Sequence, residues 1–321
     1  MRDVIYDSIL REERKKLHRL VGKAIESIYK NQVKEFYGVL AHHFAEGEAW
    51  HKALKYSIEA GKLAKSHYAH NEAIKYLNIA LKIIKEKLPN KKKELYEAHL
   101  GLSEIYYLTG DYKLAETHLN CAREIAKDLN DSKREIDALI KQIEVLDAQG
   151  NLNVGIELSE FVYQLAERIN YTKGKAEALL RKGNILFLQG NNDRAYECFR
   201  KAQEIFKSIK NKTGIAHALR FMGIIHRMEG KFNEAMKYFK RSYEIFKEVD
   251  NRDGIAGSLN NIGTAYYSLC DYKNALRYFN EACKIWQEIG DKEDTAGILN
   301  NIGIIHYTLG NYKEAKKAYK E

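Results

Sequence analysis

The stretch GIIHRMEGKFNEAMKYFKRSYEIF, residues 223–246, decides how the rest of the chain is read. Its left half continues Ala216 and Leu219 with Gly223, Ile224 and His226 at helical spacing, then stops at Gly230. Its right half resumes with Ala235, Phe239, Ser242 and Phe246, again three or four residues apart. The pattern predicts two amphipathic helices joined by a turn at Gly230. Glycine suits that turn, because the chain leaves the helix through a left-handed conformation that other residues adopt only at a cost. Gly223 is different: it lies inside the first helix, where glycine costs about 1 kcal/mol against alanine. That cost predicts a close crossing by the second helix.

Outward from Gly230 the same signature recurs in both directions. Gly-polar-aromatic followed by Ala reads Gly110-Asp111-Tyr112 with Ala115, and Gly310-Asn311-Tyr312 with Ala315. Gly150-Asn151-Leu152, Gly190-Asn191-Asn192 and Cys270-Asp271-Tyr272 fill the steps between them. The starts at 110, 150, 190, 230, 270 and 310 are 40 residues apart. Gly183, Gly223, Gly263 and Gly303 repeat the mid-helix glycine, and the crossings are predicted at Ala195, Ala235, Ala275 and Ala315. One helix pair cannot bury its apolar face alone, so the pairs must stack. The expected fold is all-α, a right-handed α-α superhelix of stacked antiparallel helix pairs. A single proline, Pro89, in 321 residues agrees with helix throughout. In the unit at 133–169, Gly155 and Ser159 replace the alanine and the aromatic, which predicts looser packing there.

Across the four units from 173 to 321, Leu179, Leu219, Leu259 and Leu299 precede the mid-helix glycines by four residues. Phe199, Phe239, Phe279 and Tyr319 follow the alanines, with Ala202, Ser242 and Ala282 after them. This pattern resembles the tetratricopeptide-repeat signature, with a period of 40 instead of the family's roughly 34. The extra length is expected in polar inter-repeat loops, Asn211-Lys212-Thr213-Gly214 and Asn251-Arg252-Asp253-Gly254. The proline that usually ends the second helix is absent from every unit. The Leu-Asn-Asn-Ile-Gly segments at 259–263 and 299–303 are similar to those of kinesin light chains and LGN-type polarity adaptors.

Residues 93–321 form this regular array, its last unit truncated, and residues 1–92 read as an atypical helical segment with a helix spacing near 20 residues. Ala41, Phe44, Ala53 and Ala60 fit one repeat there. Gly61, Ala73, Leu77 and Ala80 fit the next, and Lys87 to Lys93 around Pro89 reads as a longer loop. Arg2 to Leu10, then Arg14, Leu17-His18, Ala24-Ile25-Glu26 and Ala41-His42-His43-Phe44, resemble the segment that joins the ATPase module to the repeats in large bacterial signalling ATPases with adenylate cyclase, kinase or LuxR-type output. The stretch Ala53 to Ala80 is similar to that family as well. The resemblance implies a fragment whose nucleotide-binding and output domains lie outside it, and the end at Lys320-Glu321, within a second helix, is read the same way.

Composition narrows the function. Residues 1–93 carry 20 Lys/Arg against 11 Asp/Glu, whereas the remainder carries 33 of each, so the whole net charge of +9 lies at the N-terminal end. Arg11, Arg14, Lys15, Lys16, Arg19 and Lys91-Lys92-Lys93 belong to it. An anionic partner or an acidic neighbouring domain would use such charge. A solvated face is the favoured reading, because nothing interleaves arginine with aromatics, and nucleic acid is not an expected partner. The four cysteines Cys121, Cys198, Cys270 and Cys283 form no CxxC pair, lie in helical patterns and read as small apolar residues in a reducing compartment. No apolar run approaches a membrane span and no signal peptide opens the chain, so a cytoplasmic protein without a membrane partner is expected.

Catalytic signatures are missing. Gly22-Lys23 lacks the upstream glycine and following Ser/Thr of a phosphate loop, and no HExxH, GxSxG or dinucleotide loop occurs. His42-His43 with His51, and His67 with His70, are the closest histidine groups; neither has a cysteine beside it, so they read as packing or surface residues. His226 and His306 occupy equivalent core positions. Glu12-Glu13 and Glu46 with Glu48 lie on polar helix faces. No enzyme activity, cofactor or metal is expected.

What remains is a surface. In stacked pairs the first helices line the inner face, and their inward positions are Arg181, Asn184 and Phe187; Arg220, Phe221 and Arg227; Asn260, Asn261, Thr264 and Tyr267; then Asn300, Asn301 and Tyr307. Asparagine offers donors and an acceptor to an extended peptide backbone, aromatics offer flat contact, and arginine can clamp a carboxylate. The resemblance to the long-period adaptors implies paired asparagines gripping a threaded peptide. The same asparagines could equally ladder neighbouring repeats together, and both roles are compatible. The expected partner is a protein or peptide, with an ATPase domain of the same polypeptide as a second candidate.

Overall fold

A computed structural model of the chain describes residues 10–321; Arg2 to Ile9, part of the N-terminal resemblance, lie outside the described residues. Sixteen α-helices and one short 3₁₀ turn make up the described chain, with no strand among the described residues. The chain divides into two compact units, Met1–Val145 and Leu146–Glu321, the division falling inside one helix.

The first unit contains α1 (Arg11–Ile28), the 3₁₀ turn Val33–Phe36, α2 (Tyr37–Glu46), α3 (Trp50–Ser66), α4 (His70–Lys87), α5 (Lys92–Leu108), α6 (Tyr112–Asp128) and most of α7 (Ser132–Ala148). Its core is assembled from small and aliphatic residues, including Ala41, Ala53, Ala73, Leu77, Ala80, Ala98 and Leu102, with Phe44 as its largest fully buried side chain. The expected long loop at 87–93 is only the four residues 88–91, because α5 already begins at Lys92. Gly22-Lys23 does lie within a helix, α1. Part of the N-terminal basic charge is taken up by ion pairs: Lys15 with Glu12 at 2.7 Å and Glu48 at 3.0 Å, Lys62 with Glu97 at 2.8 Å, and Lys92 with Asp128 at 3.0 Å.

The second unit contains α8 (Leu152–Arg168), α9 (Thr172–Leu188), α10 (Asn192–Ser208), α11 (Lys212–Met228), α12 (Phe232–Glu248), α13 (Arg252–Ser268), α14 (Tyr272–Ile289), α15 (Lys292–Thr308) and α16 (Tyr312–Ala318). Its helices form antiparallel pairs stacked on one another, the tetratricopeptide-type arrangement, with a core of Phe199, Phe206, Phe239, Phe246 and Phe279.

The period of 40 has a simple origin, and it is not the expected one. Helices α8 to α13 are each 17 residues long and separated by three-residue turns. The extra length therefore sits in longer helices, and the expected inter-repeat loops are helix starts. The Asn211 and Asn251 carboxamide oxygens accept from the backbone N–H of Gly214 and Gly254 at 3.0 and 2.8 Å, capping α11 and α13. Each turn holds one residue in the left-handed conformation. After the first helices it is Gly190, Gly230 or Gly310, with Cys270 taking the position at φ +60°; after the second helices it is Asn170, Lys210, Asp250 or Gly290. Cys270 is thus an exposed turn residue and not a helical one, a correction that its alignment with the turn glycines explains.

The mid-helix glycines also have a different partner from the alanines expected. A Cβ on Gly183, Gly223 or Gly263 would come within 2.6 Å of the Phe199, Phe239 or Phe279 ring, and on Gly303 within 2.5 Å of Tyr319. The aromatic edge fills the slot that the missing side chain leaves, while the alanines, fully buried, let the helices approach. At 133–169 the two substituted positions on α8 are both buried. There the Ile185 side chain reaches into the space over Gly155, and the Ser159 hydroxyl donates to the Gly155 carbonyl at 2.7 Å.

Candidate functional site

The first helices of the second unit, α9, α11 and α13, touch one another in sequence as well as their own partners, so they run side by side along one face. On that face a cavity of about 420 Å³ opens between α9 and α11. Its lining includes Arg181, His217, Arg220 and Phe221, together with Lys173 and Glu177. Of the expected groove residues, Arg181, Arg220 and Phe221 are brought together here.

Arg220 is the unusual member. Among the described residues no carboxylate oxygen lies within ion-pairing distance of it, and its Nε is shielded from solvent without a hydrogen-bond partner. Burial pulls its guanidinium below the ordinary arginine value, with Asp253 and Asp294 acting against that and Arg181 adding to it. Gly257 faces the guanidinium: a Cβ there would lie 2.7 Å from Arg220 Nη1, so the guanidinium would have to shift. His217, not among the expected residues, is pushed down to about 3, first by burial and then by Arg220 and Arg181. It is a neutral imidazole at neutral pH, its ring set edge-on against Phe246 at 5.0 Å.

One repeat further on, the potential reverses. Carboxylate oxygens of Asp253, Asp291 and Asp294 converge within 4.8 Å of one another. Asp253 is held by the Trp286 indole, which donates at 3.0 Å, and Asp291 accepts from the Asp294 N–H at 3.0 Å as the cap of α15. Asp294 is pushed up to about 6, mainly by burial and then by its acidic neighbours, with Arg220 opposing. Sequence reading passes over this trio because its members start two different helices 40 residues apart, and only stacking joins them. The one available signal was an aspartate at each helix start.

The remaining expected residues divide between packing and exposure. Phe221 stacks on Phe199 at 4.9 Å and nearly parallel, so most of it belongs to the core. Phe187 likewise packs against the core. The Asn184 carboxamide donates to Asp147 at 2.6 Å. Asn301 donates to the Asn260 side chain at 3.4 Å, the laddering role, and the Thr264 hydroxyl donates to the Asn260 carbonyl at 2.9 Å. Asn261 is half-buried, whereas Asn300 is exposed. Tyr267 lies 5.7 Å from the Tyr272 ring, and Tyr307, 63% exposed, sits edge-on to Tyr312. Arg227 is half-buried with its Nε unpartnered, and burial lowers its pKa.

The histidine groups differ from those read in the sequence. In the first unit the Nδ1 atoms of His18 and His43 lie 2.9 Å apart, and those of His99 and His118 also 2.9 Å apart. Both pairs join residues on different helices, which linear spacing conceals. His226 lies between Tyr196 and Tyr238 at 5.3 and 5.2 Å, in line with its expected core position.

This arrangement, helix pairs stacked so that one helix of each pair lines a shared face, defines the tetratricopeptide class of interaction scaffold. Residues 174–248 and 254–321 match the family model described as tetratricopeptide repeat, so this part of the chain is a tetratricopeptide-repeat array. Among solved structures, the apo form of RapI shares the fold at 14% identity, with a TM-score of 0.61 over 84% of this chain and 95% of that one. A Rap protein complexed with competence and sporulation factor aligns at 15% identity and TM-score 0.67, covering 88% of this chain and 78% of that one. A signal transduction ATPase with numerous domains, carrying a tetratricopeptide repeat sensor, from Pyrococcus horikoshii aligns at 15% identity and TM-score 0.55 over 93% of this chain and 47% of that one. No curated protein matches the sequence significantly. Among the described residues, no helix is long and apolar enough to cross a membrane.

Proposed function

We propose that the chain is the sensor arm of a multidomain signalling ATPase and that its inner face binds a protein or peptide whose capture regulates the attached module. The observation that carries this reading is the row of inward polar groups ending in the cavity between α9 and α11, where the Arg220 Nε is held without a hydrogen-bond partner. The likeness in fold to a Rap protein crystallised with a bound factor, and to an ATPase with a tetratricopeptide sensor, supports it. So does the N-terminal resemblance, on which residues 1–92 would link the array to an upstream ATPase. The scaffold acts without chemistry of its own: side-chain amides satisfy the peptide backbone, and aromatic and arginine side chains select what it carries.

A free-standing peptide adaptor is the second reading, favoured by the Leu-Asn-Asn-Ile-Gly segments at 259–263 and 299–303. Sequencing the natural gene outward from both ends separates the two, since an adjoining phosphate-loop ATPase belongs only to the first. Groove capture itself is tested by selecting a random peptide library on the full chain and measuring a selected peptide by calorimetry. Asn261→Ala with Asn301→Ala should weaken binding by about 2 kcal/mol, the scale of an interface hot spot. Unchanged affinity in the double variant would sink the groove.

A further inference from the structure

We infer that the second helices of the first unit form a binding site of their own, a cavity between α2 and α4 that takes an acidic amphipathic helix anchored by a bulky apolar side chain. The inference goes beyond the inner-face reading and involves none of its residues.

α3 and α5 touch each other as α9, α11 and α13 do, which makes them the first helices of their pairs; α2 and α4 both pack on α3 as second helices. Between these two a cavity of about 460 Å³ opens, and Trp50, the first residue of α3, is part of its lining. The volume falls within the range of ligand pockets, about 300–1,000 Å³. The lining is apolar where it meets the core: Ala41 and Ile83 are buried, and Ala45, Ile79 and Trp50 pack half-buried against the same cluster. Lys75, Lys82 and Lys87, all exposed, stand against Glu46 and Glu86. None of these five makes an ion pair among the described residues, whereas Lys52, Lys62 and Lys65 on α3 all do. Lys87 Nζ lies 5.5 Å from the centre of the Trp50 ring, a cation–π contact that holds this charge at the cavity.

The spacing along α4 decides what fits. Lys75, Ile79, Lys82 and Glu86 follow one another at steps of three or four residues, so they share one face of the helix. At 1.5 Å per residue, Lys75 and Lys82 lie about 10 Å apart along the axis, with Ile79 between them. A helix laid along α4 repeats that spacing with its own side chains: acids about seven residues apart meet the two lysines, and an aromatic or leucine midway between them enters the apolar lining. This is the way an amphipathic helix occupies a groove. A basic residue one turn beyond the second acid would meet Glu86. The two glutamates also decide against other anions. A nucleic-acid backbone would meet them as like charges and leave the apolar lining unused.

The test uses the full chain and a phage-displayed random hexadecapeptide library, with enriched peptides resynthesised for fluorescence anisotropy and circular dichroism. The protein's own tryptophans give a site-specific readout: Trp286 is 3% exposed, so acrylamide quenching reports chiefly on Trp50. Enriched peptides should carry acids about seven apart around an apolar anchor, gain helix on binding and shield Trp50 from acrylamide. Lys75→Glu with Lys82→Glu should weaken them at least tenfold and leave the thermal midpoint unchanged, because neither lysine holds an ion pair. Asn261→Ala with Asn301→Ala, on the inner face, should leave their affinity unchanged. Loss of binding in the asparagine variant but not in the lysine variant would overturn this site and spare the inner groove. Peptides that leave Trp50 quenching unchanged, or that lack the paired acids, would overturn it as well. So would a lysine variant whose lost affinity comes with a large fall in thermal midpoint. Binding of a single-stranded oligonucleotide, or of phosphatidylserine–phosphatidylcholine vesicles, that the lysine variant abolishes would assign the face to another partner and overturn the peptide. A library that yields no binder would overturn this site and the inner groove together.

Discussion

The two units use the same helix pair but close it differently. In the second unit a glycine on one helix receives an aromatic ring from an adjoining one: Gly223 takes Phe239 from the helix after it, and Gly254 takes Phe246 from the helix before it. In the first unit the slots are mixed: Gly22 takes the Phe44 ring at 2.8 Å, whereas Gly61 and Gly101 both face the branched tip of Leu77. Polar links between helices take up part of the work there. Glu104 is bracketed by Lys65 and by Lys141 at 3.5 Å, and although burial opposes it these two lysines hold its carboxyl below the usual range. The His99–His118 pair bridges α5 and α6 in the same way. A rigid ring in a backbone slot tolerates little change, whereas a leucine tip or a polar bridge can adjust. Regularity of packing, more than helix content, separates the units, and three perturbations probe that difference.

The largest effect should come from emptying a ring slot. Phe239→Ala leaves a cavity behind fully buried Phe239, and large-to-small changes of this kind cost about 4 kcal/mol. Amide hydrogen exchange should show protection in α11 and α12 falling by close to a thousandfold. A loss under tenfold would mean the slot collapses around the vacancy and that the unit is as adjustable as the first.

A smaller effect distinguishes the two kinds of glycine. Gly254→Ala puts a methyl 2.4 Å from the Phe246 ring, an overpacking that costs about 1–3 kcal/mol. Gly101→Ala meets only a Leu77 methyl at 3.0 Å, which can turn away, and the helix gains about 1 kcal/mol in propensity. Thermal denaturation should therefore lower the midpoint of the first variant and leave or raise that of the second. Equal losses would erase the distinction drawn here.

The third probe is acid. Burial, and then His118, push His99 down to about 4, and burial lowers His118 as well. An unfolded histidine binds its proton near pH 6.5 and folded His99 does not until about 4. The unfolded state therefore holds more protons across that window, so the stabilisation is complete above about 6.5 and lost as pH falls toward 4. Allowing for partial water access, the loss is about 2 kcal/mol. Exchange in α5 and α6, corrected for its intrinsic pH dependence, should rise over that range and flatten in His99→Gln. The same slope in the variant would assign the acid sensitivity elsewhere.

Much of the fold was legible because it repeats. The left-handed exits at Gly190, Gly230 and Gly310, the buried alanines and the aromatic stripe are backbone and spacing requirements, which a linear pattern displays directly. Asn251 illustrates the limit. Its position was visible, yet it read as loop, because an asparagine that caps a helix and one in a polar turn have the same neighbours in sequence. Of the groove residues, Arg220 was legible as an inward arginine, while the shielding of its Nε without an acceptor was not.

The sequence by itself determined the helix-pair architecture, the period of 40 and the inner face, since these follow from local periodicity and from conformations that only certain residues adopt cheaply. Tertiary stacking alone decided which residues meet. It set the Phe239 ring against Gly223, brought His99 to His118, gathered Asp253, Asp291 and Asp294 across a repeat boundary, and left the Arg220 Nε without an acceptor. The physical reason is range: helix and turn preferences act over a few residues, whereas charge pairing and ring packing depend on distances that exist only once the pairs have stacked.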